Sequence, residues 1–177
     1  PHPVPGHLER IRAGQPYLIA VDHAHHVGSL ARALETLRPL VTGRLLLLFG
    51  CPGGTSQAHR QAMGRVAAQL ADITVLTADD PCHESPGRIC QQIVHGYREV
   101  CHEGPRINTD REIAIRMILE EARPGDAVLL AGKGGCPRQR VGDTIAPFDD
   151  ALVATEILED LGYTLPIRRS PPQTPVY

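Results

Sequence analysis

The sequence is poor in aromatic residues: they fill 3% of its 177 positions, and tryptophan is absent. A core must therefore be built from Leu, Ile, Val and Ala, which the 42% apolar share permits in a chain long enough for one domain. Long apolar runs are missing as well. LLLLFG at 45–50 ends in glycine and falls far short of the roughly 20 residues that a membrane span needs. No signal-peptide pattern opens the chain. It begins PHPVPG, without an initiator methionine, as expected of a fragment of a longer protein. An excess of one charge is lacking too. The net charge of −2 offers no bulk attraction to nucleic acid or to an acidic membrane. The basic residues are scattered without interleaved aromatics, so neither a nucleic-acid nor a membrane partner is expected. Five cysteines (Cys51, Cys82, Cys90, Cys101 and Cys136) form no C-x-x-C pair. That speaks against a disulfide framework or a zinc knuckle and for a reducing cytoplasm. There is no G-x-S-x-G and no cysteine in a nucleophile signature, so no catalytic residue is assigned and the cysteines read as small buried hydrophobes.

What is present is an alternation. Four apolar runs, 17–21, 45–49, 73–76 and 127–130, are apolar on both faces and bounded by polar or turn residues, as buried parallel strands are. Helix-like stretches lie between and after them: SLARALETLRPL, AHRQAMGRVAAQLAD, SPGRICQQIVHGYREV, DREIAIRMILEEARPGD and DDALVATEILEDLGY. Asp110 is the expected cap of the fourth, Asp149 or Asp150 of the fifth, with Gly162 as its stop. The pattern predicts a Rossmann-like, doubly wound α/β fold with a mostly parallel sheet in three α/β/α layers. A weak signal at 140–145 predicts a late edge strand, and the proline-rich tail 166–177 is expected to be loose.

Each strand run ends in a polar or glycine cluster: DHAHH, GCPGGTS, TADDPCHES and GKGGC. In a parallel α/β sheet these ends share one edge, where ligands bind. AGKGG is not a Walker loop, because Gly134 follows Lys133 where a Ser or Thr must meet magnesium. It offers either backbone N–H groups and one cation to an anion, or a tight turn with an exposed lysine. Asp22, His23, His25 and His26 suit a metal ion, or else a turn in which Asp22 accepts backbone hydrogen bonds. Asp79 and Asp80 can bind an amine or a cation, or simply serve an Asp-Pro turn.

Taken in order, these segments resemble the C-terminal domain of the Mur ligases over residues 5–163, most of all the MurE type. PGHLERIRAGQP resembles the family hinge P-G-R-M-E-R-V-x-A-G-Q-P, and VDHAHHVGSL resembles V-D-Y-A-H-T-P-x-x-L. LFGCPGGTSQAHRQAMGRVAAQLADITVLTADDP tracks the glycine loop, its helix and the D-N-P strand end, and DREIAIRMIL, PGDAVLLAGKG and PFDD follow with family-like spacing. The resemblance implies residues 1–15 as a hinge from a missing central domain, 16–165 as the ligase domain and 166–177 as tail. It also implies an activity: ATP phosphorylates a carboxylate of a UDP-muramoyl peptide, and an incoming amino acid attacks the acyl phosphate. ATP and Mg would be held mainly by the missing central domain, over which this domain closes. By the same resemblance His7, Asp22 and His25 face the nucleotide. Asp79, Asp80 and Cys82, with Gly132, Lys133, Gly134 and Cys136, frame the amino acid. The partners implied are the amino acid, the muramoyl peptide and the chain's own missing domains, in the cytoplasm.

The departures are specific. His7 stands where the family hinge has arginine, and His23 where it has tyrosine. Diaminopimelate-adding members carry D-N-P-R and G-K-G-H-E; here the residues are Asp79-Asp80-Pro81-Cys82 and Gly132-Lys133-Gly134-Gly135-Cys136. Each lost hydrogen bond to a charged group removes about 1.5–3 kcal/mol, so diaminopimelate binding is expected to weaken. Asp80 in place of asparagine favours a side-chain amine such as that of lysine or ornithine. Two further expectations stand beside a ligase of altered specificity: a degenerate domain serving as a binding module, and a related polyglutamate- or cyanophycin-type amide ligase.

Overall fold

The computed structural model describes residues 7–164, so the tail expected to be loose at 166–177 lies outside the described residues. Five strands run parallel, and one edge strand is reversed. β1 (Glu9–Ile11), β2 (Leu18–Asp22), β3 (Leu45–Phe49), β4 (Ile73–Leu76), β5 (Arg106–Ile107) and β6 (Ala127–Ala131) lie in the order β1-β2-β6-β3-β4-β5. β1 pairs antiparallel with β2, and every other pairing is parallel. The four expected strand runs are thus β2, β3, β4 and β6, while β1 and β5 are too short and too polar to carry a sequence signal.

The helices are α1 (Val27–Leu37), α2 (Gln57–Leu70), α3 (Pro86–Arg98), α4 (Arg111–Glu121) and α5 (Asp150–Asp160). Their starts are fixed by side chains that accept from orphan backbone N–H groups: Ser56 from His59, Ser85 from Arg88, Asp110 from Ile113, and Asp149 from Ala151 and Leu152. The caps thus fall on Asp110 and Asp149, and Asp150 is left free to face inward.

Side chains alternate across β3. Leu45, Leu47 and Phe49 pack with Leu34 of α1, Met63 of α2 and Ile93 of α3, while Leu46 and Leu48 pack with Ile115 and Ile118 of α4 and Ile157 of α5. The result is the expected three layers, α1-α2-α3, sheet and α4-α5. No helix among the described residues is long and apolar enough to cross a membrane.

The edge strand expected at 140–145 is not in this sheet. The segment instead forms a separate hairpin, β7 (Arg138–Val141) with β8 (Thr144–Pro147), turning at Gly142-Asp143. Both its strands are largely exposed. Its apolar side chains Val141 and Ile145 lie exposed, and residues 80–83 hold it along one side. The Cys82 N–H donates to the Arg140 carbonyl at 3.4 Å, and the Gly142 N–H donates to the Cys82 carbonyl at 2.6 Å.

Candidate functional site

Four strand ends meet at one cleft of about 150 Å³. Its walls are His23 and His25 after β2, Pro52 after β3, Asp79 and Asp80 after β4, and Gly132, Lys133 and Cys136 after β6. This is the crevice that the strand order creates, because the chain crosses over β6 in passing from β2 to β3. A larger cleft of about 600 Å³ lies at the opposite, amino ends of the strands. Its inner polar groups are committed to the protein: the Tyr17 hydroxyl donates to the Leu119 carbonyl, and Asp126 accepts from Arg44.

Lys133 is the only lysine in the sequence, and it is 3% exposed. Its Nζ donates to Asp80 Oδ1 at 2.6 Å and lies 3.8 Å from Asp79 Oδ1. The exposed-lysine reading of AGKGG is therefore overturned: the carboxylates draw the ammonium inward. Asp80 Oδ1 also accepts from the Arg140 backbone N–H at 2.9 Å, which ties the hairpin to the cleft. Asp79 is 5% exposed, and the Lys133 ammonium at 3.8 Å is beyond hydrogen-bond reach of its Oδ1. Burial raises its pKa, and the Arg111 and Lys133 charges pull the other way. Gly132 has φ +108, and a Cβ there would overlap the Asp79 carboxylate, so the approach of the two strand ends requires glycine.

Two arginines shape the floor and the rim. Arg111 opens α4 and is fully buried with Asp150, its Nε and Nη2 donating to the two carboxylate oxygens at 2.8 and 2.6 Å. The remaining contacts run to backbone: Nη1 donates to the Ala78 carbonyl and Nη2 to the Ala131 carbonyl, both at 3.1 Å. Arg60 of α2 donates to Thr55, the Pro52 carbonyl, Gln92 and both oxygens of Glu84, joining the loop after β3 to the loop after β4.

At the end of β2 the imidazoles cluster, edge-on or tilted to one another. His25 lies 4.6 Å from His23 and 3.9 Å from His26 between ring centres, and His26 lies 5.8 Å from His59. The neighbouring His25 ring holds the His26 pKa below its ordinary value. Asp22 is buried, and its oxygens accept from the Leu8 and Ala24 N–H groups at 2.8 Å, so the turn reading holds. Among the described residues no group of three or more His, Cys, Asp or Glu is placed to hold a metal ion.

The fold therefore gathers His25, Asp79, Asp80, Gly132, Lys133 and Cys136. It leaves His7 exposed at the start of the described chain, and Asp22, Cys82 and Gly134 outside the cleft walls. Gly134 donates its N–H to the Asp22 carbonyl at 3.3 Å, and Cys82 belongs to the hairpin contact. Burial pushes the Cys51 thiol up to about 12 and that of Cys90 to about 11, which suits inert packing groups.

A family model described as Mur ligase, glutamate ligase domain, matches residues 6–134. The chain belongs to the Mur ligase family. It is similar to the UDP-N-acetylmuramoyl-L-alanyl-D-glutamate–2,6-diaminopimelate ligase of Solibacter usitatus, 42% identical over 162 residues, covering 90% of this chain and 32% of that one. It is 38% identical over 166 residues to the UDP-N-acetylmuramyl-tripeptide synthetase of a Roseiflexus species, covering 90% and 32%. The solved structure of a UDP-N-acetylmuramoyl-L-alanyl-D-glutamate–2,6-diaminopimelate ligase superposes with a TM-score of 0.83 at 31% identity, covering 91% of this chain and 33% of that one. The chain thus spans about a third of the length of these relatives.

Arg60, Arg111, Asp150 and Pro52 were not among the expected site residues of this Mur ligase domain. A signal for three of them exists. Arg111 lies in register with Ala114, Ile115 and Ile118; Arg60 with Met63, Gly64 and Ala67; and Asp150 with Ala154 and Ile157. A charge inside an apolar helical stripe marks a buried ion pair. Its partner, here 39 residues away, is not readable from one sequence.

Proposed function

We propose that this chain is the C-terminal domain of an ATP-dependent ligase that adds an amino acid to a UDP-muramoyl peptide in the cytoplasm, and that its cleft holds the incoming amino acid. The observation that carries this reading is the buried Asp79, which lines the cleft with its Oδ1 3.8 Å from the Lys133 ammonium, beyond hydrogen-bond reach. Three carboxylates, Asp79, Asp80 and Asp150, share two cations there, Lys133 and Arg111, so an incoming amine supplies the missing counter-charge. Gly132 and the loop after it form the opposite wall.

ATP would give its terminal phosphoryl group to the peptide carboxylate, releasing ADP, and the amine would then displace phosphate from the acyl phosphate to form the amide. The triphosphate and magnesium fall to the parent's other domains, reached through the hinge at 1–15, since this chain has neither a Walker loop nor a metal-binding group among its described residues. What this chain offers the nucleotide is the cluster of imidazoles at His23, His25 and His26, whose rings meet edge-on or tilted and present aromatic faces and edges to a base.

Specificity follows from three departures. Cys82 brings no cation to a distal carboxylate and Cys136 brings no carboxylate to a distal ammonium, whereas Asp80 adds a negative charge whose Oδ1 is already shared between Lys133 and Arg140. The acceptor is therefore an amino acid with a side-chain amine and no second carboxylate. The test is a panel of lysine, ornithine and diaminopimelate with the full-length ligase. Transfer of lysine or ornithine is expected, and transfer of diaminopimelate alone overturns the specificity. The simultaneous loss of charge at His7, Cys82 and Cys136 favours one other reading, a non-catalytic binding module. A full-length protein with no ATP turnover dependent on any amino acid of the panel would establish it.

A further inference from the structure

We infer that Arg111 is a positioning residue for acceptor binding: it sets the distance between the two lips of the cleft. The inference rests on reading that cleft as an amino-acid pocket. The lips are carried by β4, which leads into Asp79, and β6, which leads into Gly132. These strands are not neighbours, because β3 lies between them. The β3–β6 pairing ends at Leu48 with Leu130, and the last bond between β3 and β4 is from the Thr77 N–H to the Phe49 carbonyl. Beyond those points no backbone ladder joins one lip to the other; the Lys133–Asp80 hydrogen bond of 2.6 Å crosses at the mouth, one residue past Gly132 and Asp79. Arg111 fills that gap. Its fork reaches the carbonyls of Ala78 and Ala131, the residues directly before Asp79 and Gly132, at 3.1 Å each.

Asp150 fixes the plane of the fork by accepting from Nε and Nη2. The tolerance at the lips is small, since any side chain on Gly132 would overlap Asp79. A shift of one lip therefore moves the buried carboxylate that meets the incoming amine.

A role limited to neutralising Asp150 makes a different prediction. Replacing both members of the pair by apolar residues of similar size removes the charges together and tends to preserve stability, but nothing then reaches the carbonyls. The experiment uses the full-length ligase with Arg111→Met combined with Asp150→Leu, and separately with Arg111→Lys, which keeps a charge on Asp150 but cannot span both carbonyls. In either folded variant the KM for the acceptor is expected to rise at least tenfold while the KM for ATP stays within twofold. Amide exchange should accelerate at 79–82 and 132–136 and stay unchanged in β3. Unchanged exchange at both lips, or equal rises in the two KM values, overturns the inference. A parent protein that transfers no amino acid refutes the proposed function instead, and the exchange at the lips then decides the role of Arg111 alone.

Discussion

Arg60 and Arg111 are both 2% exposed, each stands in the apolar stripe of its helix, and each gathers four or five hydrogen bonds, yet their surroundings differ. The Asp150 side chain that Arg111 meets is 1% exposed, whereas the Glu84 side chain that Arg60 meets is 39% exposed. The first pair is closed to water and touches both lips of the cleft. The second reaches solvent and joins two surface loops. Taking two charges fully out of water carries a desolvation penalty that their attraction only partly offsets, so a closed pair is weak evidence for stability and better evidence for fixed geometry. The same side chain thus serves the site in one place and the scaffold in the other.

The comparison breaks first at Arg111. Arg111→Met leaves Asp150 buried and unpaired, and is expected to destabilise the fold by about 3–5 kcal/mol in thermal or denaturant unfolding. Arg60→Met should do less, about 2 kcal/mol, because Glu84 can turn to water and only the Pro52 carbonyl, Thr55 and Gln92 lose their donor. Equal losses at the two positions would erase the distinction between the closed and the open pair.

Asp79 sharpens it from the other side. Burial raises its pKa above the ordinary 3.8, so the folded protein binds a proton there more readily than the unfolded chain does. Stability then falls as pH rises from 3.8 through the folded value, a loss that Asp79→Asn removes. The variant is expected to melt higher than the parent at neutral pH while losing acceptor binding. That is the signature of a residue kept for function against stability. A variant that melts lower would mean that Asp79 is held as a structural counter-ion to Lys133.

The layers and the site-bearing strands were legible because β2, β3, β4 and β6 are buried on both faces and written as apolar runs. Asp79, Asp80 and Lys133 were legible because strand ends in such a sheet must converge. The hairpin at Arg138–Pro147 was not, since its two strands pair with each other and lie largely exposed, and an exposed ribbon leaves little periodicity. Lys133 was misjudged in one alternative because its burial depends on Asp80, 53 residues away. The roles of Arg111 and Asp150 depend likewise on where α4 and α5 meet, which is a property of packing.

The smallest expected effect concerns Glu84, and it runs opposite to that of Asp79. Hydrogen bonds from Arg60 and from the Gly54 N–H hold its pKa at about 2 instead of 4.5. For a depressed acid the unfolded chain binds the proton first. The stabilisation is therefore complete above 4.5 and lost as pH falls from there through about 2. With its side chain 39% exposed, solvent screens the contact and the shift in melting temperature will be small. The informative quantity is the difference in melting temperature between the parent and Glu84→Gln, followed over that range. It should close as the acid is protonated, while the corresponding difference for Asp79→Asn opens with rising pH. A Glu84 difference that stays constant down to pH 2 would mean that the loops are joined by packing around Arg60 and not by its charge. In that case the two arginines would be alike after all.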